Sequence, residues 1–206
     1  MKISIINGSQ KSKESNSGLI LNKLNRLIST EVKNYKLGAK GFPEEILKEI
    51  GSGDIIVLAF PLYVDSIPTN IFKMLIKLEK YTTGNTIIYS IINNGFYEGE
   101  QTHIAFKIIE NWCERSGAKF GGGIGQGAGE TIGFVKNIPF TGFLFYNLEH
   151  SLKQLVKKME SKEPYNIRYL SPLLPRFLWR IMAHHFFWHP LARKNKLNKK
   201  DLFRRV

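Results

Sequence analysis

The chain has 206 residues, enough for one domain with a substantial core, and its 43% hydrophobic and 12% aromatic content is that of a globular protein rather than a disordered one. Thirty Lys and Arg against 17 Asp and Glu leave a net charge of +13, carried unevenly: residues 1–163 balance at +4 and residues 164–206 at +9. A single cysteine, Cys113, excludes an internal disulfide and any cysteine cluster for zinc or iron–sulfur.

Met1-Lys2 leads into only four apolar or small residues before Asn7 and Gly8, too few for a secretory signal. No stretch approaches the roughly 18 uninterrupted apolar residues of a spanning helix. The expected compartment is therefore the cytoplasm. Ile3–Ile6 is a short apolar run ended by a turn, the pattern of a strand buried on both faces. Leu19, Ile20, Leu24, Leu27 and Ile28 then recur at helical spacing, with Ser17 placed as N-cap. Val32–Leu37 alternates apolar and polar residues like an edge strand. Pro43-Glu44-Glu45 suits the start of a short helix that ends at Gly51-Ser52-Gly53.

Asp54–Phe60 is the clearest central strand. A loop follows, and Pro68 opens a helix with Ile71, Phe72, Leu75 and Ile76 on its inner face. Thr86–Ile92 reads as a further strand and 101–116 as a helix carrying Ile104, Ile108, Ile109 and Trp112 inward. The glycine-rich stretch Phe120–Gly129 is expected to hold the last strand of the sheet, and Gly142–Glu160 another helix. Strands alternating with helices predict an α/β fold: a five-stranded parallel sheet with helices on both faces, spanning 1–163. Residues 164–206 are expected to form a basic helical extension.

An open α/β sheet binds its ligand outside the carboxyl ends of its strands, so the breaks after strands one, three and four carry the candidate chemistry. The first is Gly8–Ser17. There Gly8 is expected to turn the backbone sharply, and the Ser9, Ser15 and Ser17 hydroxyls, the Asn16 amide and loop N–H groups offer donors to a phosphate. Lys11 adds a point charge, and the following helix N-terminus adds about +0.5. The same residues also suit a polar connection with a good N-cap. Neither GxxxxGK[ST] nor GxGxxG is present. The second break, Pro61-Leu62-Tyr63-Val64-Asp65-Ser66-Ile67-Pro68, presents an aromatic and apolar residues between two prolines. The third, Asn93-Asn94-Gly95-Phe96, offers an Asn-Gly turn, close backbone approach at Gly95, and Phe96 and Tyr97 as ring neighbours.

Taken in order, the segments IINGSQKSKESNS, IIVLAFPLYVDSIP and SIINNGFYEGEQ make the chain resemble the flavodoxin-like NAD(P)H-dependent FMN reductases over about residues 1–160. The resemblance implies a flavodoxin-like fold, a homodimer and FMN held at the three loops. It also implies NAD(P)H as a transient donor to the flavin, with a quinone, flavin, azo or nitro compound as acceptor. No catalytic side chain is then expected, since the flavin carries the chemistry. Lys11 stands where the family commonly has arginine. The lone Cys113 excludes the related iron–sulfur flavoproteins. The rival readings are a one-electron carrier of the flavodoxin type and a non-enzymatic flavin-binding module docked to a membrane or partner through its C-terminus.

Outside the loops, Cys113 beside Trp112 reads as structural. His184, His185 and His189 sit among Phe186, Phe187 and Trp188, which favours packing over metal binding. The glycines of 121–129 are expected to let the backbone approach the flavin or a partner subunit. In residues 173–206, Leu174, Phe177, Leu178, Ile181 and Met182 recur at helical spacing, with Arg176, Arg180 and His184 on another side, ahead of the basic run RKNKLNKKDLFRR. That pattern suits docking on an anionic membrane surface, or packing on the domain or across a dimer. A basic tail alone gives no specific nucleic-acid recognition.

Overall fold

The computed structural model describes residues 1–11, 14–135, 142–198 and 200–201. Six strands form one fully parallel sheet: β1 (Ile3–Asn7), β2 (Val32–Lys36), β3 (Ile55–Pro61), β4 (Ile87–Asn93), β5 (Lys119–Gln126) and β6 (Tyr165–Leu170). Their spatial order is β2-β1-β3-β4-β5-β6. The chain steps one way from β1 to β2 and the other way from β3 onward, so the topological switch point lies between β1 and β3.

The five-strand expectation is corrected by β6, which pairs with β5. Residues 165–170, assigned by composition to the basic extension, are therefore sheet. The strand escaped notice because it is an edge strand whose apolar residues alternate with Asn166 and Arg168, which an edge position tolerates. The chain divides into compact units at 1–172 and 173–206.

Alternation along the strands separates two apolar layers. Ile6, Ile56, Leu58, Phe60, Ile88 and Ile92 face α2 (Glu44–Gly51), α3 (Thr69–Leu78) and α4 (His103–Ser116) in one cluster with Ile71, Leu75, Phe106 and Ile109. The intervening residues Ile5, Val57 and Ile91 are equally buried and belong to the opposite face. On that side α1 (Asn16–Asn25) packs with α5 (Gly129–Val135) and α6 (Tyr146–Glu160). At roughly 25 cal/mol per Å², near-total burial of β3 and β4 makes these two strands the principal hydrophobic contribution to the sheet.

A few polar bonds tie layers together. Trp112 Nε1 on α4 donates to the Leu75 carbonyl on α3 at 3.0 Å. The Tyr89 hydroxyl on β4 donates to the Glu163 carbonyl at 2.6 Å, and burial holds its pKa up at about 12. Cys113 is buried, and desolvation raises its thiol to about 12 as well, in keeping with a structural thiol.

Glycines in β5 serve the sheet itself. Gly122 has φ +88°, and a Cβ there would collide with the Tyr165 carbonyl of β6. Its neighbour Gly123 has the same relationship to the Ser90 carbonyl of β4. Residues in the same run, read from sequence as letting the backbone approach a flavin or a partner subunit, thus let three strand backbones fit together.

The second unit is helical: α7 (Arg176–Met182), a π-helical segment (Ala183–Trp188) and α8 (His189–Lys194) follow one another without a break. The His189 ring lies 5.9 Å from His184 and 5.7 Å from His185, among aromatic neighbours. No metal-holding group of His, Cys, Asp and Glu occurs among the described residues. Lys199 and 202–206 of the basic run lie outside the described residues.

Candidate functional site

The carboxyl edge of the sheet is built by extending the backbone ladder one residue past each strand. Gly8 N–H donates to Ala59 O (2.8 Å), Leu62 N–H to Asn93 O (2.7 Å), Asn94 N–H to Gln126 O (3.0 Å) and Gly127 N–H to Leu170 O (2.8 Å). Strand register sets Pro61 beside Asn93 and Asn93 beside Gln126. The breaks after β1, β3 and β4 therefore start at one edge, flanking the switch point, and the break after β5 joins them.

Gly8 is required by packing rather than by a left-handed turn. A Cβ there would run into Ile71 of α3 and approach the Phe60 Cβ at 3.1 Å. The loop then folds on its own side chains. Ser9 N–H donates to Asn7 Oδ1 at 3.0 Å, and Lys11 N–H to Ser9 Oγ at 3.4 Å. Ser12 and Lys13 lie outside the described residues. The cap of α1 is Ser15, not Ser17: the Ser15 Oγ accepts from Gly18 N–H at 3.1 Å. A serine two residues earlier fits because the chain is still extended there, with φ −122° and ψ 154°.

Ser17 has a different task. Its hydroxyl donates to Asn93 Oδ1 at 2.7 Å, with both residues buried. Asn16 Oδ1 accepts from Gly133 N–H at 3.1 Å and holds α5 against the start of α1. Lys11 is exposed, and the first turn of α1 leaves the N–H groups of Asn16 and Ser17 without intrahelical acceptors.

After β3, Tyr63 and Ser66 form a two-residue turn closed by Tyr63 N–H to Ser66 O (3.0 Å) and Ser66 N–H to Tyr63 O (3.1 Å). Its central residues Val64 and Asp65 have φ +47° and +57°. Left-handed backbone is unfavourable for a β-branched residue, so Val64 is strained. It is also 98% exposed, while Tyr63 beside it is 43% exposed and Leu62 is buried. The strain gains no packing within the chain; it projects an apolar tip beyond the edge of the sheet.

After β4, Asn94 is buried, and its Nδ2 donates to Glu98 O at 3.0 Å. Its Oδ1 has no hydrogen-bond partner among the described residues. Gly95 does not adopt positive φ, and a Cβ there would meet only Glu130 at 4.0 Å, so the Asn-Gly pair is not the left-handed turn its composition suggests. Phe96 is 53% exposed, and its carbonyl accepts from Ala128 N–H. Tyr97 is only half-buried, and its hydroxyl donates to Pro172 O at 3.4 Å.

Sequence reasoning did not nominate Gln126 or Ala128. Gln126 ends β5 fully buried, with Nε2 bonded to the Gly127 carbonyl at 2.7 Å and Oε1 without a hydrogen-bond partner among the described residues. Ala128 has φ +50°. The available signal was a lone amide at the end of a glycine-rich strand. Elsewhere, a cavity of about 220 Å³ opens between the 39–42 loop and α3, lined by Lys40, Phe42, Asn70, Lys73, Met74 and Lys77 among others.

The edge thus combines a cationic, donor-bearing loop after β1, a row of buried amides at Asn93, Asn94 and Gln126, and exposed apolar or aromatic side chains at Tyr63, Val64 and Phe96. Such a surface can hold an anionic group at one end and a flat ring with a polar rim at the other.

Three solved structures show the same architecture. An NADPH-quinone reductase from P. pentosaceus aligns with TM-score 0.57 and 15% identity, covering 77% of this chain and 97% of the other. A flavodoxin from Streptococcus pneumoniae TIGR4 aligns at 0.54 and 13%, covering 79% and 99%. An FMN-dependent NADH-azoreductase from Bacillus anthracis, solved in complex with FMN, aligns at 0.50 and 12%, covering 77% and 99%. No protein-family model matches the sequence, and no curated protein matches it. At these identities the likeness establishes the fold: this is a flavodoxin-like, doubly wound α/β protein.

Proposed function

We propose that the chain is an FMN-dependent NAD(P)H oxidoreductase, passing two electrons from a nicotinamide cofactor to a small acceptor such as a quinone, flavin, azo or nitro compound. The observation that carries this reading is the convergence of the loops after β1, β3 and β4 on the switch point, with a strained, exposed apolar tip at Val64 in one loop and buried amides at Asn93 and Asn94 in another. Similar structures described as an NADPH-quinone reductase and an FMN-dependent NADH-azoreductase support it.

The donor set fits FMN. Lys11 and the first-turn N–H groups of α1 would hold the phosphate, Lys11 as a point charge rather than a bidentate fork. Tyr63, Val64 and Phe96 would wall the ring and keep water from its face. The unpartnered Asn94 Oδ1 would accept a hydrogen bond from a ring N–H, which relieves a buried acceptor. When bound, FMN supplies the two-electron chemistry of its ring. The chain's own work is to bind, orient and exclude solvent, and no side chain is assigned a proton transfer. The active form in this reading is a homodimer, measurable by light scattering.

The test is an absorbance spectrum of protein purified with FMN, followed by anaerobic titration with NADH and NADPH. The expected result is a flavin spectrum bleached by at least one nucleotide, with turnover on the acceptor panel. Failure to bind FMN together with no NAD(P)H oxidation overturns the reading. Tight FMN binding without nicotinamide oxidation would instead favour a one-electron carrier, the reading that the similarity to a flavodoxin supports.

A further inference from the structure

The unit formed by residues 173–206 carries nine Lys and Arg against the single acid Asp201. Residues 176–194 run as continuous helix, and neither α7 nor the π-helical segment has a buried residue. Phe177, Ile181, Phe186, Phe187, Trp188 and Leu191 are between 42% and 63% exposed. So much exposed apolar surface on one helix marks an interaction surface.

Charge selects the partner. A second copy of this unit would bring two strongly basic surfaces together. Nucleic-acid interfaces take cations but are polar, and exposed Phe, Ile and Leu would gain little there. An anionic lipid surface takes both features: aromatic and aliphatic side chains enter the headgroup–acyl boundary while Arg and Lys meet lipid phosphates. Among the described residues no helix is long and apolar enough to cross a membrane, so the helix would lie in the plane of the surface. We propose that residues 176–197 dock peripherally on an anionic phospholipid bilayer. The exposed cations Arg193, Lys194 and Lys196 lie at the end of the helical run and give the surface its electrostatic hold.

The proposal does not depend on the flavin reading, and vesicle binding is measured without nucleotide or acceptor. Full-length protein is floated with vesicles of phosphatidylcholine alone and of phosphatidylcholine doped with phosphatidylglycerol. Binding is expected only to the anionic vesicles, weakening as NaCl is raised. Replacing Arg193, Lys194 and Lys196 together by Gln should lower partitioning on the order of a hundredfold. The double variant Phe186→Ser, Trp188→Ser should also lose binding, with the far-UV circular dichroism unchanged. If that double variant fails to fold, the exposed Gln triple still decides the matter.

Three results would overturn the proposal. One is equal binding to neutral and anionic vesicles, or none to either. Another is a Phe186/Trp188 variant that changes the oligomeric state while leaving vesicle binding intact, making the face a subunit contact. The third is a preference for duplex DNA over anionic vesicles that the apolar variant leaves unchanged.

Discussion

The Ser17 hydroxyl donates to Asn93 Oδ1 across 2.7 Å, joining the first turn of α1 to the last residue of β4 although the two are 76 positions apart. Both side chains are buried, so the bond fixes the loop after β1 against the loop after β4 without help from water. Ser17→Ala strands the Asn93 oxygen in the interior. Chemical denaturation should show a loss of about 1–3 kcal/mol with an unchanged m-value. FMN affinity should fall as well, because the two halves of the site lose their common reference.

Val64 sits in left-handed backbone with its side chain in solvent. Asparagine tolerates that conformation, so Val64→Asn is expected to stabilise the protein by about 1 kcal/mol. If the tip serves a ligand, turnover with quinone or azo acceptors falls while the denaturation midpoint rises. A midpoint that drops would show that the valine is held by contacts within the fold.

Lys11 is exposed, so in the proposed site a pairing with phosphate would be worth little more than a surface ion pair. Lys11→Ala should weaken FMN about fivefold, a figure set by roughly 1 kcal/mol for an exposed pair. Riboflavin, which has no phosphate, should bind the two proteins equally. Fluorescence quenching titrations with both flavins make the comparison, and an equal loss for both would remove Lys11 from the phosphate end.

At Gly122, positive φ and the Tyr165 carbonyl both forbid a side chain. Gly122→Ala should cost on the order of 3 kcal/mol, from backbone strain together with disruption of the β5–β6 pairing. Hydrogen exchange would localise the damage: amides of β6 should lose protection first, while β3 and β4 keep theirs.

Asp54 is held below the usual carboxylate range, first by the Lys162 ammonium at 2.6 Å and then by the Lys2 backbone N–H at 2.7 Å. A carboxyl whose pKa is depressed on folding adds stability above its unfolded value of about 4, and that stability is lost as pH falls through the folded value. Stability curves from pH 7 down to the acid limb should therefore be flatter for Asp54→Asn than for the parent. The difference should shrink in high salt, since the pair is largely solvent-exposed.

Much of the architecture was legible because the inner strands are written in unbroken apolar runs. Asp54–Phe60 and Thr86–Ile92 announced β3 and β4 to within a residue, and burial on both faces is what such runs require. The edge strand β6 was not legible, since its alternating polar residues suit many contexts. Nor were the roles of individual hydroxyls and glycines. Ser15 and Ser17 are the same residue type two positions apart, yet one caps a helix and the other crosses to β4.

By itself, the sequence determined that a parallel α/β sheet would form, where its strands would break into polar loops, and that the basic charge would gather at the C-terminus. Those properties follow from local composition and period, which a linear reading contains. The tertiary structure alone decided that Gly8 serves side-chain packing and Gly122 backbone packing, that Val64 is strained and exposed, and that Asn94 and Gln126 bring buried oxygens without partners among the described residues to the same edge. These depend on which distant atoms become neighbours, and strand order and register set that.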